Sequence, residues 1–122
     1  MEQCKLGEME QRFAEMIWEN APIASGKLAK MCAEAFGWKR TTAYTMLKRL
    51  CDRGIFQNTD GLVSVLMPRD EFQAVRGEQF INENFDGSLP QFLAAFSRRK
   101  KLSVKEVEEL KKLIEEYDEG DN

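Results

Sequence analysis

The chain contains no histidine. That absence removes the side chain that most often serves as a general base near neutral pH and most often binds transition metals. Ser-His-Asp and Cys-His nucleophile arrangements are therefore impossible, and so is an HExxH zinc site. No glycine-rich phosphate cradle is present. Cysteine is scarce, odd in number and dispersed, at Cys4, Cys32 and Cys51, which fits a reduced cytoplasmic chain better than a disulfide framework. Cys32 and Cys51 read as small apolar core residues. Apolar runs extend only a few residues, too short to insert across a membrane, and the N-terminus enters charged residues with no secretory signal. Glu108 with Glu109, and Glu115 with Glu116, are the carboxylate pairs left for acid–base work. In a segment full of Lys and Glu they read as a solvated helix face. No catalytic residue, metal ligand or cofactor is expected, and the chain does not read as an enzyme.

What is present is an uneven distribution of charge. The formal net charge over 122 residues is −3, yet the segment from Lys27 to Arg53 carries seven basic residues against Glu34 and Asp52, about +5. From Ser103 to Asn122 three lysines face eight acids, about −5. One end is a cation and the other an anion, and the cationic stretch asks for a polyanionic partner.

Periodicity organises the chain. Leu6, Met9, Phe13 and Ile17 recur at gaps of three and four, predicting a helix from about Glu8 to Glu19. Pro22 ends it, and Ile23 and Ala24 suit a very short strand. Ser25 is the expected N-cap of a second helix whose Leu28, Cys32 and Ala35 line one side, with Gly37 as its stop. In "GWKRTTAYTMLKRLCDRG" the residues Ala43, Met46, Leu47 and Leu50 share one face of a third helix. Thr41, Thr45 and Lys48 lie opposite that seam, flanked by Tyr44 on one side and by Thr42 and Arg49 on the other. An exposed face of hydroxyls, one aromatic and cations differs from the usual Glu/Lys mixture. "IFQNT" and "LVSVLM", joined by "DG", read as a β-hairpin. Helix, short extended piece, helix, helix and hairpin is the order of a winged helix-turn-helix, whose third helix enters the major groove.

Three amphipathic segments follow. Phe72, Val75 and Phe80 mark one, Leu89, Phe92, Leu93 and Phe96 a second, and Val107, Leu110, Ile114 and Tyr117 a third, opened by a Ser103–Glu106 capping box. Three short helices have too little surface to cover one another, so they are expected to supply half of a dimer core. The alternative is that they fold back on their own winged domain. The fold class is therefore mainly α with a small β-hairpin. A winged helix-turn-helix DNA-binding domain at residues 1–68 is followed by a helical dimerisation domain at residues 69–122. Its interface residues would be Phe72, Phe80, Phe92, Leu93, Phe96, Val107, Leu110, Ile114 and Tyr117.

From about residue 8 to residue 115 the sequence resembles the penicillinase-repressor family of bacterial transcriptional regulators (BlaI/MecI, with the copper-responsive CopY repressors as relatives). The resemblance is carried by "MIWEN", by Trp38, Thr42, Thr45, Arg49, Leu50, Arg53 and Gly54, by "FINENFDGSLPQFLAAF" and by "LSVKEVEELKKLIEE". It implies a homodimeric repressor on a palindromic promoter operator. It also implies a switch, in which a membrane metalloprotease sensor triggers cleavage before a Phe, here at Ala95–Phe96. Ala95 stands where the penicillinase repressors carry Asn. No cysteine follows Cys51, which sets aside copper sensing through C-terminal Cys-x-Cys pairs. Tyr44 stands where resistance repressors have Arg or Gln, and Lys39 and Arg40 replace their Ser-Pro. Lys is a poor N-cap, and cations at a helix N-terminus oppose the macrodipole.

Phosphate contacts are expected from Lys39, Arg40, Lys48 and Arg49, helped by Thr41 and by Lys27 or Lys30. Base reading is expected from Thr42, Tyr44 and Thr45. None of these three offers the bidentate pairing of Arg with guanine, unless Arg40 turns inward. Asn58, Thr59 and Asp60 bring no cation to the wing. The competing class is a winged-helix protein-interaction module that binds no DNA.

Overall fold

A computed structural model describes residues 6–120, with side chains up to Tyr117; Cys4 lies outside the described residues. The elements are α1 (Glu8–Asn20), β1 (Ile23–Ala24), α2 (Ser25–Phe36), α3 (Arg40–Asp52), β2 (Phe56–Thr59), β3 (Leu62–Val65), α4 (Arg69–Asn84), α5 (Leu89–Arg99) and α6 (Val104–Gly120). This is the mainly helical winged arrangement that the periodicity predicts. Two compact units form, one ending at Phe80 and the other beginning at Ile81, so the division falls inside α4.

Among the described residues of the first unit fourteen apolar ones are buried, including Phe13 and Ile17 of α1, Leu28 and Cys32 of α2, and Leu47 and Leu50 of α3. Ile55, Phe56 and Val63 contribute from the hairpin side. The sheet has the order β1-β3-β2, all antiparallel, with Ile23 opposite Val63 and Asn58 opposite Val63 from the other side. Asp60 and Gly61 both take positive φ, 51° and 85°, as a two-residue hairpin turn of matching twist requires. Gly37 ends α2 in the left-handed region, and its N–H donates to the Ala33 carbonyl at 3.0 Å.

Two tryptophans tie the layers together. Trp38, just before α3, stacks with Phe13 at 5.4 Å and with Phe36 at 4.9 Å. Trp18 touches Phe56 and Phe72 at 5.4 and 5.3 Å, and its indole N–H donates to the Met67 carbonyl at 3.0 Å. The start of α4 is thereby fastened to α1, with Arg69 pairing Glu15 at 2.7 Å. That guanidinium holds the Glu15 carboxyl below the ordinary carboxylate range.

Three sequence expectations change here. Phe72, expected at the dimer interface, is fully buried against Trp18 inside its own chain, so it presents no surface to a partner. Ser25 is the first residue of α2 and not its N-cap, which is Ala24. Ser25 N–H donates to the Gly61 carbonyl at 2.8 Å, joining α2 to the hairpin turn. Ala35 is exposed, and Ala29 fills the core position instead. The helical phase places Ala29, one residue after Leu28, on the inner side.

In the second unit, Ser88 caps α5 by accepting the Gln91 N–H at 3.1 Å. The predicted capping box at α6 is present: the Ser103 N–H donates to Glu106 and the Glu106 N–H to Ser103 Oγ, each at 3.0 Å. The bonds from Ser103 hold the Glu106 carboxyl below its ordinary pKa. Replacing an N-cap Ser by Ala costs roughly 1 kcal/mol. Ser88→Ala is therefore expected to lower the stability of the second unit by that amount, seen as an earlier urea midpoint by circular dichroism.

Candidate nucleic-acid interface

Ala43, Leu47 and Leu50 bury one side of α3 and Met46 half-buries beside them. The opposite side is thereby turned to solvent. Thr41, Thr42, Thr45, Lys48 and Arg49 are all exposed on it, with Lys39 and Arg40 exposed at its start. Lys39 is the N-cap, its side chain makes no capping bond, and the first turn holds no acid. The free N–H groups of that turn therefore end in positive charge from Lys39 and Arg40, an arrangement that favours an anion. Lys30 and Arg40 line a shallow hollow of about 130 Å³ with Gly26, Ala29 and Ala33 of α2. Lys27 and Lys30 are exposed on the same helix.

Not every cation in the stretch is free. Lys48 pairs with Asp52 one turn on, at 3.1 Å, with both side chains largely in water; such a pair is weak and easily exchanged for a phosphate. Arg53 lies 3.8 Å from Glu10 of α1 and is half-buried, so it serves the fold. At the wing, Asn58, Thr59 and Asp60 are exposed without a cation among them.

Tyr44 differs most from its expected place. Its ring is half-buried and leans on the core, and its hydroxyl lies 3.4 Å from Ser25 Oγ. Arg40 Nη2 donates to the same hydroxyl at 3.4 Å, and the guanidinium sits over the ring, 5.5 Å from its centre. The Ser25 bond, helped by Arg40, lowers the phenol pKa against a smaller opposing effect of burial. The i, i+4 spacing of Arg40 and Tyr44 is visible in the sequence; the third member, Ser25, comes from another helix and is not.

In the second unit no described side chain of α5 or α6 is fully buried. Phe92 stacks with Phe85 and Phe96 at 5.4 and 5.8 Å. A groove of about 360 Å³ runs between the helices, lined by Phe92, Leu93, Phe96, Leu102, Leu110 and Leu113 with Glu106 and Glu109. Ile114 is 63% exposed and Tyr117 74%, while Val107 and Leu110 are half-buried. Phe80, on α4, is 52% exposed. The Ala95–Phe96 bond lies inside α5, and the Phe96 carbonyl accepts the Lys100 N–H at 2.8 Å. A protease would need that helix to open. Arg98, Arg99, Lys100 and Lys101 form an exposed basic run at the end of α5 that the pattern of apolar residues did not bring out.

Cys32 is buried, and burial pushes its thiol up to about 11, where it stays protonated and inert. Cys51 is half-buried and shifted the same way. Among the described residues no group of His, Cys, Asp or Glu is placed to hold a metal ion, and no helix is long and apolar enough to cross a membrane.

Comparison with known proteins places the whole chain. The chain is 26% identical to a penicillinase repressor of Bacillus licheniformis over an alignment of 117 residues that covers 93% of this chain and 91% of that protein. The penicillinase repressor family matches from residue 6 to residue 116, across both units. A winged unit, a helical unit and a match that runs through both make this chain a member of the penicillinase repressor family.

Proposed function

We propose that the protein is a homodimeric transcriptional repressor that covers a palindromic promoter operator with its two winged units. The observation that carries this is the exposed side of α3, where hydroxyls and cations surround an uncapped, positively charged helix start. Lys39, Lys48, Arg49 and Thr41 contact phosphates, and Thr42 and Thr45 touch base edges. Dimerisation through α5 and α6 doubles the contacts and sets the spacing of two half-sites. Opening α5 and cutting Ala95–Phe96 separates the halves and releases the DNA. A membrane metalloprotease sensor is the partner that would start that step.

Titration of the protein against its own upstream promoter duplex, at two salt concentrations and beside a scrambled duplex, tests the proposal. Neutralising about six to eight phosphates predicts a loss of roughly a thousandfold or more between 50 and 200 mM salt. The promoter should bind more tightly than the scrambled control. A folded dimer that binds neither duplex would favour a protein-interaction module instead.

A further inference from the structure

We infer that Tyr44 is a positioning residue and that Arg40, held by it, reads a guanine in each half-site. This rests on the DNA-binding function proposed above and names the group that supplies its specificity. Side chains on a helix lean toward its N-terminus, so the Tyr44 ring lies back over the turn that carries Arg40. The guanidinium sits over that ring and donates one N–H to the phenol oxygen at 3.4 Å. The same phenol oxygen lies 3.4 Å from Ser25 Oγ, within hydrogen-bonding reach in either direction. Ser25 is itself fixed through its backbone to Gly61 at 2.8 Å. Arg40 is thus tied to α2 and the hairpin turn as well as to α3.

The clasp uses one of five guanidinium N–H groups and leaves the others for a ligand. Residues at the start of a recognition helix are the ones that reach base edges, and Arg40 is the first residue of α3. Thr42 and Thr45 make single contacts at most, and Lys39 is a point charge. Arg40 is therefore the donor at this end able to match guanine O6 and N7 together. The Tyr44 hydroxyl, engaged at Ser25 and Arg40, is not the reader. Holding a long side chain in place before binding is worth about two- to tenfold in affinity for the base it meets.

Selection of bound duplexes from a random-sequence library tests this, using the full chain and its Tyr44→Phe, Arg40→Ala and Ser25→Ala variants, with thermal melting to check each fold. The parent chain should prefer guanine at one position of each half-site by on the order of ten- to a hundredfold. Arg40→Ala should erase that preference. Tyr44→Phe, which keeps the ring, should weaken it about two- to tenfold at the same position. Ser25→Ala should shift the same position in the same direction, and it decides the matter if Tyr44→Phe does not fold. An unchanged guanine preference in both Tyr44→Phe and Ser25→Ala would overturn the inference. So would a change at a base pair that Arg40→Ala leaves alone, since Tyr44 would then be reading for itself. A selected motif that does not depend on Arg40 overturns this inference only, whereas a parent chain that enriches nothing overturns the DNA-binding proposal with it.

Discussion

Lys48→Glu combined with Arg49→Glu is expected to lower affinity for the promoter duplex by about a thousandfold or more at low salt, because four phosphate contacts per dimer are lost and four repulsions replace them. Both side chains stand exposed on α3 and neither belongs to the core. A carboxylate at position 48 would face Asp52 where Lys48 made its weak pair. That like-charge spacing costs a few tenths of a kcal/mol, too little to unfold the helix. Salt dependence is the sharper readout. The slope of log affinity against log salt should become shallower by about 4, one unit for each contact removed. Fluorescence anisotropy at several salt concentrations measures both quantities, and sedimentation confirms that the dimer persists. Unchanged binding by an intact dimer would mean that α3 is not the face presented to DNA.

Ile114→Glu should separate the two copies. In one chain this side chain is 63% exposed, so the substitution leaves the fold of the single chain nearly untouched. In a two-fold interface the same change occurs twice. Each buried Ile is worth about 1.5–3 kcal/mol, and each carboxylate left without a partner adds to the penalty. The dimer dissociation constant should rise by about a thousandfold or more. Operator affinity at fixed protein concentration should fall with it, although α3 is unaltered. Sedimentation velocity across a concentration series reads the first effect and anisotropy the second. A variant that remains dimeric at the same concentrations would remove α6 from the interface.

Much of the fold could be read from spacing. The apolar residues of α1, the seam of α3 and the "DG" turn each follow a single period, and each element lies within a residue or two of its predicted limits. The capping box at Ser103 is local, and it was legible for the same reason. What escaped depends on distant partners. Phe72 has the spacing of a free amphipathic helix, and only Trp18, far back in the chain, reveals that it belongs to the winged core. Tyr44 lies beside the exposed arc of α3 by angle alone, but Ser25 on α2 draws its hydroxyl inward. The exposed cations and hydroxyls of the candidate site were legible because the partners they have, such as Asp52 for Lys48 at 3.1 Å, lie within one turn of the same helix. The clasp among them was not, because a hydroxyl 3.4 Å from another helix leaves no trace in periodicity.

The shortage of enclosed side chains on α5 and α6 has a consequence for gene dosage. If these helices complete their core with a second copy, as proposed, occupancy depends on the square of monomer concentration when the protein is scarce. Halving the amount of chain would then cut the bound fraction about fourfold, and melting temperature would climb with concentration. Unequal partition of the chain between daughter cells would therefore move such a promoter further than it would move one held by a monomeric binder.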